Sequence, residues 1–583
     1  MHEWDYIHRY YSLVLFSVLL LSCVAMGCIP AMQIGIERVL IDSAIQGFDG
    51  GALRTFIACL VQFIALMLAN SMLKVFVQYG TSRHNLAVCK RLDSQRVEKC
   101  RRVSFPVLES KEFHELYGKA EKAGEINSTF FAALQTVFRS AVQVVTSFVV
   151  LASIDIRTAI VVYAMLVVGI VLNRNAAKNS GSIWGDYIRN MRHANYLSAL
   201  LLHREYAMER KVFDYNSEIE ARYSKDCTCA IKKNSSLGRR RFVSELWTMV
   251  FSVLYGIIAI LLLGFSVKGG KVSVGSFIAA FTAIGSLRSV ANQLYAGVFD
   301  ISDSFGKMSG FFSFMELKED ENVQSDEPID LEKGIEFQHV TFAYPGAAYP
   351  VLQNVCFTLK PGMHYALVGE NGCGKTTLVK LLLGLYQPTE GRVLVGGKDA
   401  SRFSPDERRR LFSVIFQDFY RYPLSIRENV SLGSEKPQDA EAVLDVLDVL
   451  GFEAPVRFKE NGIDTNLGLL KHGSSNLSGG EWQKLAVARS ILSSSQIVVL
   501  DEPNAALDPV SEMAFYKVYE EVFASRTTLF ISHRLGAVKT ADCILAIKDK
   551  HLVAMDSHGR LMENCEYYRQ LFETQRGLYY EAE

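Results

Sequence analysis

"HYALVGENGCGKTTLVKLLLGL", residues 364–385, decides how the rest of the chain is read. A short apolar run leads into a glycine-rich turn and then into apolar residues at helical spacing. The stretch therefore predicts a buried strand, a tight loop and an amphipathic helix. Within it Gly369, Glu370, Asn371, Gly372, Cys373, Gly374, Lys375 and Thr376 fit the eight-position phosphate loop G-x-x-x-x-G-K-[ST]. Such glycines let successive backbone N–H groups face one anion at the positive end of a helix. Lys375 then reaches the outer phosphates, the Thr376 hydroxyl ligates Mg²⁺, and Thr377 joins the nucleotide-binding set. The bland alternative is a glycine-rich turn with a chance lysine, and the strand before and helix after count against it. Cys373 lies among these N–H groups beside Lys375, and that positive field is expected to lower its thiol pKa.

Two further apolar runs carry carboxylates and a histidine at their ends. "QIVVLDE" (496–502) places Asp501 where a strand-end carboxylate holds the Mg²⁺ shell through water, and Glu502 where a general base polarises the attacking water. After "TTLFIS" (527–532) comes His533, available to the γ-phosphate or to that water. Taken singly, each also fits a strand-end acid or a surface histidine. On successive strands of one parallel sheet they support one another.

Upstream the composition changes. "LVLFSVLLLSCVAMGCIPAM" (13–32) is long enough to cross a ~30 Å hydrocarbon layer at ~1.5 Å per residue. Its core is too long for a signal peptide, and no small-x-small cleavage site follows. Comparable runs predict six spans, at about 12–33, 55–77, 131–154, 155–173, 245–267 and 274–299. Lys and Arg crowd the segments at about 78–130 and 173–245, so both long loops, both termini and everything after 300 are expected on the cytoplasmic side. Those loops have helical patterning, which fits either solvated extensions of the spans or contacts to a cytoplasmic domain. The acidic, turn-rich stretch 317–333 reads as a linker. The expected organisation is an all-α six-span domain over 1–316, that linker, and an α/β phosphate-loop nucleotide-binding domain over 334–583.

Over 583 residues, 62 basic side chains balance 62 acidic ones, which gives no reason to expect nucleic acid as a partner. The 11 cysteines include no C-x-x-C pair, and only Cys227 and Cys229 stand close. Reduced cytosolic thiols fit them better than a metal site.

With these motifs in place, the chain resembles the ATP-binding cassette (ABC) exporters, as a half-transporter of one membrane domain followed by one nucleotide-binding domain. The resemblance implies that Tyr344, in "VTFAYPG", stacks on adenine and that Gln417 senses Mg²⁺ and the membrane domain. It implies that "LSGGE" (477–481) is the signature motif, that Asp508 ends the D-loop, and that His533 is the switch histidine. Ser478, Gly479 and Gly480 would then cap the γ-phosphate of ATP held by a different subunit, so two copies would complete two sites. A heterodimer is the alternative partner arrangement. The signature ends in Glu481 where the family usually has Gln, and the stretch before it lacks a glutamate that many drug exporters carry.

The same resemblance implies ATP-driven export from a bacterial cytoplasmic membrane. Alternatives are a multidrug or lipid exporter of the same fold, and after it a membrane-tethered regulatory ATPase or an importer on the exporter fold. No protease domain is expected before the first span, so leader trimming is not indicated. The phrasing around the signature resembles exporters of modified peptides more than multidrug or lipid exporters, so the expected cargo is a peptide. Arg139, Glu245 and Arg288 are the charged candidates within the spans. Glu245 fits a pair with Arg288 or an interfacial place. If Arg139 and Arg288 line a cavity, they favour acidic or carboxyl-terminal groups on the cargo.

Overall fold

The computed structural model describes residues 13–46, 50–164, 167, 191, 193–203, 206–268, 272–320, 329–434, 439–453, 458, 461–468, 474–502, 521–532 and 535–580. The chain divides into two compact units. One comprises Met1–Arg101 with Glu112–Leu317, the other Arg102–Lys111 with Lys318–Glu583.

The first unit is helical: α1 (Leu13–Ile45), α2 (Gly50–Arg102), α4 (Lys111–Ala120), α5 (Ala123–Ile154), α6 (Asn216–Lys268) and α7 (Val274–Met315). The short helix α3 (Phe105–Leu108) belongs to the second unit. Four helices among the described residues are long and apolar enough to cross a membrane: Phe16–Ile45, Gly51–Arg102, Lys111–Ile154 and Val274–Met315. The most apolar window of the second is only 6% buried, with Leu68 and Met72 outward. An apolar face of that size suits lipid and would be unstable in water. The expected span 245–267 falls within α6; of 155–173, residues 156–164 and 167 are helical, and 165, 166 and 168–173 lie outside the described residues. So do the side chains of Glu245 and Arg288.

Hydrophobic association gives little drive between helices inside lipid, so close packing of small residues matters more. Ala279, Ala280 and Ala283 of α7 pack fully buried with Ile34, Leu151 and Leu263. At Gly275 a Cβ would fall 2.4 Å from the Arg38 carbonyl oxygen, so only glycine admits this approach of α1 to the start of α7. There Asp42 accepts hydrogen bonds from the Gly275 N–H at 2.8 Å and the Ser273 hydroxyl at 2.7 Å. These satisfy a helix N-terminus that would otherwise leave donors open.

The second unit is α/β. Strands β1 (Ile335–Phe342), β2 (Leu352–Leu359), β4 (Glu390–Val395) and β5 (Lys398–Asp399) form one antiparallel sheet in the order β2-β1-β4-β5. The other sheet runs β10-β9-β3-β8-β7-β6, with β3 (His364–Gly369), β6 (Phe412–Ile415), β7 (Ile497–Asp501), β8 (Thr527–Ile531), β9 (Cys543–Lys548) and β10 (His551–Asp556). All its pairings are parallel except β10 on β9. β3, β7 and β8 are buried along almost their whole length, as apolar strands covered on both faces should be. Register sets Gly369 beside Ile547, and Asp501 beside Ile531. The carboxyl ends of adjacent strands thus meet on one edge, where ligands bind in open α/β sheets.

Residues 102–111 and the chain after 318 pair within this unit. The Ser104 N–H donates to the Lys318 carbonyl at 3.1 Å, and the Asp320 N–H to the Arg102 carbonyl at 2.8 Å. Asp320 also pairs with Arg408 at 3.1 Å.

Candidate functional site

At the end of β3 the chain turns through the phosphate loop into helix α8 (Lys375–Leu382). Gly374 stands at its N-terminus with φ of 106°, in the left-handed region. A Cβ there would meet Leu352 Cδ2 at 2.7 Å, so both backbone and space require glycine. Beside the loop lies a cavity of about 420 Å³, lined by Asn371, Gly372, Gly374, Lys375, Thr376 and Thr377, and also by Val351, Gln417, Asp501 and Glu502. Thr376 and Asp501, 125 positions apart and expected together from the sequence, therefore meet around one space.

Lys375 is 8% exposed, and its ammonium donates to the carbonyls of Gly369 at 2.8 Å and Glu370 at 2.9 Å. The loop's own carbonyls hold the cation at the mouth of the cavity. The Thr376 hydroxyl donates to Asp501 Oδ2 at 3.3 Å. Burial pushes Asp501 above its ordinary value, and Glu502 and Asp418 add to the rise, whereas Thr376 and Lys375 oppose it. An ionised carboxylate in that place calls for a cation. A hydroxyl, a carboxylate and the amide of Gln417 form a hard-oxygen set of the kind Mg²⁺ takes when phosphates and water complete its shell.

Glu502 follows directly, with φ of 48°, and its N–H donates to the Ile531 carbonyl at 3.0 Å. A non-glycine residue in the left-handed region costs about 1 kcal/mol or more, and such strain at a cavity wall is in keeping with a functional position. His533 and Asp508 lie outside the described residues.

Cys373 departs from expectation. Burial pushes its thiol up, and the nearby Lys375 charge and backbone donors only partly offset this. Its sulfur packs against the backbone of Gly369, where a Cβ would lie 2.7 Å away, so the thiol faces the protein interior. Maleimide at pH 7 is therefore expected to label Cys373 at least about tenfold more slowly than the exposed Cys356, because the thiolate is the reacting form. Rapid inactivation of nucleotide hydrolysis that MgATP prevents, and that Cys373→Ala abolishes, would contradict this.

Tyr344 is tied to the loop helix by its hydroxyl, 3.0 Å from Thr377 Oγ1. Its ring meets Tyr386 edge-on at 5.3 Å, and the Lys380 ammonium lies 5.7 Å from its centroid. Lys380 donates to Glu109 at 2.8 Å, and the Tyr386 hydroxyl donates to the same carboxylate. Burial raises the Glu109 carboxyl, but these two hydrogen bonds and the Lys380 charge win and hold it below its ordinary value. Sequence reasoning missed this trio. Lys380 could have been found one turn beyond Thr376 and Thr377 on the same helix, whereas Glu109 is 271 positions away.

Ser478 caps helix α9 (Gly479–Ile491). Its hydroxyl accepts from the Glu481 N–H, and the Glu481 carboxylate accepts from the Ser478 N–H at 2.7 Å. Glu481 thus closes a capping box, a structural use for the position that departs from the family's glutamine. Ser478, Gly479 and Gly480 are not among the described residues lining the cavity of this chain.

In the helical unit, Arg139 donates to Gln293 Oε1 at 3.1 Å, across from α5 to α7. It serves a helix-to-helix contact there, and no carboxylate among the described residues pairs with it.

Residues 352–505 match the family described as ABC transporter. Among curated proteins, the subtilin transport ATP-binding protein SpaT of Bacillus subtilis is 24% identical, over 96% of this chain and 92% of its own length. The nisin transport ATP-binding protein NisT of Lactococcus lactis subsp. lactis is 26% identical, over 94% of this chain and 91% of its own. Among solved structures, a bacterial Atm1-family ABC exporter with ATP bound superposes with a TM-score of 0.82 at 19% identity, covering 96% of this chain and 99% of that one.

Proposed function

Starting from a chain that is an ATP-binding cassette exporter, we propose that it works as a pair of identical copies and carries a peptide out across a bacterial cytoplasmic membrane. The observation that carries the pairing is the cavity itself. It gathers the phosphate loop, Gln417, Asp501 and Glu502, while Ser478 is not among the described residues that line it. The capping box uses the N–H groups of Ser478 and Glu481 and leaves those of Gly479 and Gly480 out of it, at a helix N-terminus that suits an anion. The phosphate of a second copy supplies one, and a two-fold axis then makes two composite sites.

Within each site the backbone of residues 369–374, with Lys375 and Thr377, cradles the phosphates, and Tyr344 stacks on adenine. Thr376, Gln417 and Asp501 hold Mg²⁺, which neutralises phosphate charge when bound. Glu502 takes the proton of the attacking water, and His533 and Asp508 act at the γ-phosphate and across the pair. Glu502 stands at the cavity wall beside Asp501, which suits that role. ATP holds the two nucleotide-binding domains together, hydrolysis lets them part, and that cycle alternates the access of the spans. Six spans are read from the apolar runs, and the distribution of Lys and Arg supports placing both termini in the cytoplasm.

Peptide cargo is supported by two relatives matched over nearly their whole length, both named for the transport of subtilin or nisin. In proteoliposomes, a peptide of that class is expected to stimulate ATP hydrolysis and to accumulate on the side away from the nucleotide sites. Stimulation by lipids or hydrophobic cations alone would overturn the peptide reading. ATP hydrolysis with no vectorial flux of any of the three would favour a regulatory ATPase.

A further inference from the structure

In the helical unit, α5 and α7 enclose a cavity of about 450 Å³ whose walls include Ser128, Thr129, Thr136, Gln293, Gly297 and Asp300. Its floor is a close helix crossing, because a Cβ on Gly297 would meet Val137 Cγ2 at 2.7 Å. The polar atoms around this space are unusually one-sided. The Ser128 and Thr129 hydroxyls both donate to the Glu125 carbonyl, at 2.8 and 3.1 Å. The Thr136 hydroxyl donates to the Ala132 carbonyl at 2.9 Å. A hydroxyl has one hydrogen, so each of the three has only lone pairs left to offer. The Gln293 amide is held from both ends, its oxygen by Arg139 and its nitrogen by donating to Ser289 at 3.2 Å.

Asp300 completes the wall. It is half-buried and, among the described residues, has no hydrogen bond or ion pair. Lys307, the basic residue nearest along its helix, is paired with Asp303 at 2.6 Å. The cavity therefore presents three acceptor hydroxyls and a carboxylate that makes no hydrogen bond among the described residues and shares the more distant Lys307 charge with Asp303. Arg139, which would favour acidic cargo if it lined a cavity, makes a contact between helices.

We infer that this cavity is a cargo subsite for a primary ammonium group: Asp300 takes its charge, and Ser128, Thr129 and Thr136 accept its N–H groups. Three donors on an ammonium match such a ring of acceptors, whereas a carboxylate or phosphate would find only the second N–H of the Gln293 amide and would meet the Asp300 carboxylate. The inference rests on the peptide reading above, and it reverses the preference for acidic cargo that Arg139 and Arg288 implied in the sequence. A peptide carries this group either on a lysine side chain or at its amino terminus.

The test uses the full chain in lipid nanodiscs without nucleotide, and a fluorescent decapeptide with one lysine and a free amino terminus. Its affinity is expected to fall about tenfold or more in Asp300→Asn, the scale of one charge-assisted hydrogen bond, while Asp300→Glu largely restores it. Acetylating the lysine alone, or the amino terminus alone, shows which amine occupies the site. Acetylating both should match Asp300→Asn, and combining the two changes should cost no more than either alone. Retained ATP binding and the Asp300→Glu recovery separate this outcome from misfolding. Equal affinity of the doubly acetylated peptide for the parent, or of the free peptide for Asp300→Asn, overturns the subsite even though a peptide binds. If no peptide binds but octylamine does by calorimetry, in a manner that needs Asp300, the subsite stands and the peptide reading falls.

Discussion

Glu502→Gln is expected to lower steady-state ATP turnover by about 10²–10⁴-fold, the usual contribution of a positioned general base. The substitution keeps the shape and the backbone preferences of the side chain. That matters because residue 502 holds φ of 48° and ties back to Ile531 through its N–H. The phosphate loop, Lys375 and Asp501 would all be untouched, so ATP affinity should stay within a few-fold of the parent. Filter binding of radiolabelled ATP measures the affinity, and phosphate release measures turnover. A variant that binds ATP without splitting it should also accumulate as a closed pair of chains, visible as an ATP-dependent shift in mass. Retention of more than about a hundredth of the parent rate would show that Glu502 is not the base. Asp501→Asn should behave differently. It removes the buried carboxylate that Thr376 donates to, so nucleotide binding in the presence of Mg²⁺ would weaken together with turnover.

The parts of this site that are local in sequence were legible before the structure. Residues 364–385 form β3, the loop and α8, because an apolar run, three glycines and a helical repeat specify those shapes within a few residues. The strand carrying Asp501 was readable for the same reason, as was the strand before His533. What failed depended on contacts between distant segments. The thiol of Cys373 was read from the charge of its neighbour Lys375, but its burial comes from the way the loop packs against Gly369 at the end of β3. Arg139 looked like a free charge because its partner, Gln293, is 154 positions away. The loop at about 78–130 was read as either a solvated extension or a contact to a cytoplasmic domain; residues 102–111 cluster with the α/β unit, but Glu109 as the partner of Lys380 and Tyr386 could not be named from the sequence. The carboxylate of Asp300 was passed over at the edge of a predicted span, since its lack of a partner is visible only once α5 and α7 are packed.

Chains carrying Ser478→Arg and chains carrying Lys375→Ala should each be inactive alone, and activity should reappear when the two are mixed before reconstitution. The logic follows from where the two residues stand. Lys375 sits in the phosphate cavity, whereas Ser478 caps a helix outside that cavity's wall, so a site that needs both must draw them from two chains. In a mixed pair, one site joins the sound loop of the Ser478→Arg chain to the sound signature of the Lys375→Ala chain. Random association makes about half of all pairs mixed, each with one sound site of two, so recovery should approach about a quarter of the parent rate if one site can turn over alone. Losing the cap costs the helix only about 1 kcal/mol, too little to unfold the domain, so inactivity of Ser478→Arg reports on the anion contact. Ser478→Asp sharpens the point, because aspartate caps a helix as well as serine does but sets a negative charge where a phosphate should sit. It should be inactive with the helix intact by circular dichroism. Hydrolysis at the parent rate in Ser478→Asp, or in the Ser478→Arg chain alone, would mean that Ser478 faces no phosphate and that the composite site is wrong.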